Sequence, residues 1–365
     1  MREVLMIGQK KRDFSAMFLI AAAVFLMYYS LSMPERAAET VRRSLSVFVR
    51  SVLPSLALFS VCAKILVKSG IAQTLSALPL DGFFRAFGVS AGGFSAFIIG
   101  SFAGFPTGAS VLAELCRRNE MDAEEAASIL PFCNQSGASF VIGAVGASLF
   151  RDRDIGIVLF LAQTASATLA LLLTAEKRSS FIGKKQTKKR PSSPVFSIVT
   201  SSVCETAFAM LSVCGFIVFF SLCTSALWDT LSASGIDAPE WLRIVAGGLL
   251  ELSSGLALLA DSAFSRETAV VLGGLLLGFG GVSVFLQALE RTEAFFLSPK
   301  RYFFGKTLCA FFCPCAAYLF FTVYQWKNSI LSCFFTFLSI LCLIFALKNP
   351  FPRKIKVFFK KVWKN

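Results

Sequence analysis

The sequence predicts an all-α, polytopic membrane protein. Three observations carry that prediction. Apolar residues make up 55% of the 365 positions, and charged residues only 16%, against about 25% in an ordinary soluble domain. Forty phenylalanines stand beside five tyrosines. The apolar residues gather into ten runs, most of them near the ~20 residues a spanning helix needs. Soluble globular, disordered and fibrous classes are excluded on the same grounds.

The runs occupy 14–33, 45–67, 93–113, 128–150, 155–175, 196–227, 241–260, 267–290, 303–324 and 330–348. The first follows Lys10, Lys11 and Arg12 and lacks a small-residue cleavage site, so it reads as a retained helix. Of the net charge of +14, segments 176–194 and 348–365 together supply +13. Both flank apolar runs, which marks them as cytoplasmic loops under the positive-inside rule rather than nucleic-acid sites. The aromatic-interleaved tail also suits a surface of anionic lipid.

Charge then constrains topology. With the N-terminus inside, five crossings before the linker would leave it outside, and the second half has the same difficulty. One run in each half must therefore re-enter without crossing. The expected candidates are 128–150 and 267–290, both rich in Gly and Ser. About eight spanning helices and two re-entrant segments result, with both termini cytoplasmic and loops 114–127 and 228–240 outside. The units 45–175 and 196–324 then start from opposite sides, as an inverted-topology repeat. Residues 1–44 form an N-terminal helix and loop, 176–195 the basic linker, and 325–365 a last helix and basic tail. Gly100, Gly108 and Gly137 recur as Gly247, Gly255 and Gly281, at offsets of 147, 147 and 144 residues.

Broken helices mark the candidate site. Gly104-Phe105-Pro106-Thr107-Gly108 removes a backbone donor and loosens the helix. Such a break at membrane depth lines a cavity or is buried in protein; the density of the motif favours a substrate-site unwinding over a packing kink. Asn134-Gln135-Ser136-Gly137-Ala138-Ser139 offers amides, hydroxyls and a half-helix N-terminus suited to an anion. Gly280, Gly281, Ser283 and Gln287 form its counterpart. Helix packing through small residues explains either motif equally well, and their pairing favours a site. Glu251 is the acidic residue nearest the middle of an apolar run, and Ser253 and Ser254 follow it. A central carboxylate costs ~2.5–3.5 kcal/mol on insertion scales, so it faces a cavity, a partner or a proton. Coupling or binding is one reading, and a structural hydrogen bond the other. Arg50 and Lys64 read as snorkelling cations near helix ends. Cys309, Cys313 and Cys315 read as packing residues.

With no histidine in the chain, His-dependent acid–base, nucleophilic and metal chemistry is removed. No Walker pattern or nucleophile–base pair is present, so neither an enzyme nor a cofactor is expected.

The motifs VLPSLALF (52–59), GFPTGA (104–109), FCNQSGASFVIGAVG (132–146), GLLELSSGL (248–256) and GFGGVSVFLQ (278–287) resemble the YlbJ-type sporulation integral membrane proteins, also called SpoVV, which contain the nucleoside-recognition Gate domain. The resemblance covers roughly 45–325. It implies a transporter in the outer forespore membrane that moves dipicolinate, a planar aromatic dicarboxylate, from the mother cell toward the forespore. Under it, Phe105, Thr107, Asn134, Ser136, Ser139, Ser283 and Gln287 bind substrate, Phe105 or Phe279 meets the ring, and Glu251 binds or couples. Gly137 and Phe285 depart from a family pattern of Pro and His, which leaves substrate and coupling ion open. A nucleoside carrier and a non-transporting assembly factor are the alternatives. Homo-oligomerisation is common among such folds.

Overall fold

The computed structural model describes residues 17, 19–77, 84, 87–174, 194–292, 298–327 and 329–347. Among them every regular element is helical. Helix α1 is Leu19–Ser32. Helices α2 (Pro34–Val47) and α3 (Leu53–Lys68) join through a π-helical turn, Phe48–Val52. Pro54 lacks the N–H that would bond back to residue 50, and the ladder widens there, with Leu53 N–H reaching Phe48 O. The short α4 is Ile71–Ser76.

Two broken elements follow. The first comprises α5 (Ala91–Ala103) and α6 (Thr107–Arg117). The second comprises α7 (Ala123–Cys133) and the π-helical α8 (Phe140–Leu149). Helix α9 (Arg153–Thr174) completes the half. The second half repeats the order. A long α10 (Val195–Ala233) precedes α11 (Glu240–Leu250) with α12 (Leu252–Ala260), then α13 (Arg266–Phe279) with α14 (Val282–Thr292). Helix α15 is Pro299–Lys327 and α16 is Ile330–Leu347.

Polar contacts define two ends of the bundle. At the first end Lys68 Nζ meets Glu205 at 2.6 Å, Arg118 Nη1 donates to Lys68 O at 3.4 Å, and Ser90 N–H donates to Glu125 at 2.6 Å. At the second end Tyr29 OH donates to Asp229 (2.7 Å), and Arg43 pairs with Asp261 (3.2 Å). Arg266 pairs there with Asp152 (3.3 Å), and Tyr324 OH donates to Asp154 (2.7 Å).

These contacts trace the chain path and correct the expected one. Helix α5 leaves the first end, and α6 returns to it. Helix α11 leaves the second end, and α12 returns to it. The α7–α8 and α13–α14 elements instead run from one end to the other. So the turn-backs belong to 91–117 and 240–260, not to 128–150 and 267–290. The physical reason lies in the breaks. Gly104 takes φ +80° and ψ −176°, and Pro106 stops continuation of α5, so the chain reverses. Residues 135–137 belong to no helix, and α8 then continues toward the end where Asp152 meets Arg266. Loop 118–122 consequently shares an end with Lys68, whereas 114–127 was expected to lie opposite the linker. Loop 234–239 lies at the other end.

Among the described residues, five helices are long and apolar enough to cross a membrane: Pro34–Lys68, Arg153–Thr174, Val195–Ala233, Arg266–Thr292 and Pro299–Lys327. Helix Arg266–Thr292 includes the run expected to re-enter. Leu19–Ser32, Ala91–Ala103, Phe140–Leu149 and Ile330–Ser339 are shorter and apolar. Phe196, Phe208, Leu211 and Phe311 point outward, which suits a lipid-facing surface and not an aqueous one. An integral membrane protein built of many helices follows. The expected cytoplasmic linker and tail, 176–194 and 348–365, lie outside the described residues apart from Pro194.

Candidate functional site

Glycine lets the helix breaks meet backbone on backbone. A Cβ on Gly100 or on Gly108 would come within 2.9 Å of the Cys133 carbonyl carbon, and one on Gly104 within 2.8 Å of Gly137 Cα. The tip of the α5–α6 hairpin thus lies across the break between α7 and α8. Phe105 N–H donates to Gln135 O at 2.8 Å and locks the crossing. The second half does the same. A Cβ on Gly255 would sit 2.6 Å from Gly248 N, and one on Gly281 would touch Gly248 O and Leu252 N at 3.4 Å. The α11–α12 tip therefore lies on the break between α13 and α14. Gly280 and Gly281 both take left-handed φ, +85° and +91°.

The polar groups of the first half converge there. Asn134, Gln135 and Ser136 are all buried. Asn134 Nδ2 donates to Tyr302 OH at 3.2 Å, Gln135 Nε2 to Ser101 Oγ at 3.2 Å, and Gln163 Nε2 to Ser136 O at 2.8 Å. Thr107 bonds Ser60 at 2.6 Å, and Ser139 Oγ donates to Ser55 O. Asn134 Oδ1, Gln135 Oε1, Ser136 Oγ and Gln163 Oε1 have no partner among the described residues. Buried polar atoms left this way mark a binding site or a strained one.

In the second half Ser283 and Gln287 are buried and bond each other at 3.1 Å, with Gln287 Oε1 unpaired. Glu251 has a structural occupation. It is 2% exposed, and its two carboxylate oxygens accept the N–H groups of Ser253 (3.0 Å) and Ser254 (2.6 Å). It caps α12, so the positive end of that half-helix is satisfied by the chain's own carboxylate. Ser253 is buried, and Ser254 Oγ faces Ser221 at 2.9 Å rather than the centre.

Other expected residues stand apart. Phe105 packs edge-on against Phe140 (6.2 Å between centroids), while Phe279 stacks on Phe303 (6.3 Å). Lys64 is buried at the first end, 3.7 Å from Glu205, and Arg50 is exposed. Cys309 and Cys313 are buried in helix packing, and Cys315 is exposed.

Lys306 was not anticipated. It falls in the apolar run 303–324, just after Lys300 and Arg301. Its side chain is 1% exposed, and Nζ donates to Asn134 O at 2.7 Å. Nζ also lies 3.6 Å from where a Cβ on Gly280 would be. Lys306 thus joins the breaks of the two halves. No carboxylate among the described residues pairs with it. Its signal was periodicity: Tyr302, Lys306, Cys309, Cys313, Ala317 and Phe320 form the buried stripe of α15.

Two cavities open at opposite ends of the bundle. One of about 510 Å³ is lined by Lys64, Lys68, Ser110, Arg117, Glu205 and Arg291. The other, about 370 Å³, is lined by Arg36, Arg43, Ser221, Asp229, Arg243 and Ser254. Ser110 and Ser254 stand a turn beyond the two hairpin tips.

Over 328 residues the chain is 28% identical to the sporulation integral membrane protein YlbJ of Bacillus subtilis (strain 168), a match covering 80% of this chain and 79% of that protein. This similarity supports membership of the YlbJ-type family that the motifs resemble. No family model matches the chain, and no solved structure matches it.

Proposed function

From its likeness to a YlbJ-type sporulation protein, we propose that this membrane protein is a secondary transporter of a small carboxylate. Dipicolinate, moved toward the forespore during endospore formation, is the substrate that the family resemblance implies. The observation that carries this reading is the buried amino group of Lys306 where the broken helices of both halves meet. An isolated ammonium in a low-dielectric interior costs several kcal/mol, which an anion brought to it offsets. Lys306 has further N–H donors beyond the one given to Asn134 O, and Ser136 Oγ adds another.

In this reading the first end is cytoplasmic. The basic linker and tail belong there by the positive-inside rule. Eight elements cross: α1, α2–α3, α7–α8, α9, α10, α13–α14, α15 and α16. The α5–α6 hairpin enters from the cytoplasm, and α11–α12 enters from the other side. Such inverted units rock about a central site in many secondary transporters, and the two cavities serve as alternate vestibules.

A nucleoside carrier is the second reading. The unpaired oxygens of Asn134, Gln135, Gln163 and Gln287 favour it, since a nucleobase offers N–H donors. Ligand-induced stabilisation separates the two. A ligand at 100 times its Kd stabilises the folded state by ~2.7 kcal/mol. Dipicolinate is expected to raise the thermal midpoint of the purified protein, and uridine to leave it unchanged. The reverse pattern favours the nucleoside carrier.

A further inference from the structure

Asn134 caps the C-terminus of α7 and Gly280 that of α13, and both ends come to the same buried point beside Lys306. Each half-helix C-terminus carries roughly half a negative charge. Both are held away from water. The unpaired Oδ1 of Asn134 adds a further negative pole on the same residue. In transporters with broken helices, such C-terminal ends and unwound carbonyls hold the coupling cation. Here the Lys306 ammonium stands there, 2.7 Å from Asn134 O and beside Gly280. Its charge is opposite in sign to both ends, which offset part of its burial cost and leave its remaining N–H donors for an anion.

We propose that Lys306 is a cation built into the chain, in the place where a free monovalent coupling ion would otherwise bind. The anion would then be carried without sodium or potassium, and truncating Lys306 would open a site for a small monovalent cation. The charge-balance part stands on geometry alone, and the part on ion-independent carriage rests on the transport reading.

The test uses the full chain in detergent, with thermal unfolding followed in choline chloride. Choline is replaced by sodium, potassium or methylammonium at constant ionic strength. The unmodified protein is expected to show the same midpoint in all four. Lys306→Ala is expected to fall by about 5–10 °C in choline and to regain half or more of that, saturably, with at least one small cation. Lys306→Met fills the space without charge, and it should fall without being rescued. Equal rescue of both variants, or rescue of neither, overturns the proposal, as does a sodium or potassium requirement in the unmodified protein. Should Lys306→Ala fail to fold, the ion dependence of the unmodified protein decides alone. The two readings fail separately. Rescue of Lys306→Ala without any uptake keeps the built-in cation and removes the carrier. Uptake that requires sodium keeps the carrier and removes the built-in cation.

Discussion

Replacing Gly104 by alanine tests how the two broken helices of the first half are held. Gly104 has φ +80° and ψ −176°, a region open essentially to glycine alone. Forcing a side chain into it costs ~1–3 kcal/mol. The new methyl would also press on Gly137, 2.8 Å from its Cα. That neighbour is backbone and cannot rotate away, so overpacking adds ~1–3 kcal/mol. The total, roughly 2–6 kcal/mol, is a large part of a typical stability of ~5–15 kcal/mol. Gly143→Ala is the control, because nothing lies within 4 Å of its added methyl. The assay is thermal unfolding in detergent, read by alkylation of Cys133, which is fully buried. Gly104→Ala should expose Cys133 at a midpoint well below that of the parent, and Gly143→Ala close to it. If Gly104→Ala matched Gly143→Ala, the close crossing at Gly137 would be refuted.

Glu251→Ala removes the cap that accepts from Ser253 and Ser254, and it should destabilise the fold by about 1–2 kcal/mol. Glu251→Gln keeps one acceptor and should lose less; a cost in uptake with no loss of stability would return Glu251 to a coupling role. The chain path is checked by membrane-impermeant thiol labelling. Cysteines at 117 and 236 should react from opposite faces, and one at 117 should share a face with one in the linker at 186. Labelling of 117 and 236 from one face would sink the traced topology.

The class of fold and the positions of the breaks were legible in the sequence because glycine and proline act locally. GFPTG stops α5, NQSG interrupts α7, and Gly280-Gly281 ends α13, all where backbone donors or φ freedom dictate. Which break reverses the chain was not legible. Local residues say where a helix stops, while the direction of the next one depends on the partner it crosses. Gly104 shows this, since its conformation is held by Gly137, more than thirty residues on. The offset of 147 residues that relates the first glycine pairs also places Gly104 on Glu251, the two hairpin tips. Glu251 was singled out for its cost in an apolar run, and its role as a cap follows from the Ser253 and Ser254 amides after the break. Lys306 was hidden by its basic neighbours, although its place on the buried stripe of α15 was readable.

The central claim is carriage of a small carboxylate past the meeting point of the four breaks. Uptake of labelled dipicolinate into liposomes containing the purified chain tests it most directly, with Asn134→Ala alongside and uridine as competitor. The account predicts saturable uptake, indifferent to uridine and lost in Asn134→Ala while that variant remains folded. Uptake of uridine in place of dipicolinate, or no uptake of either by folded protein, would contradict it.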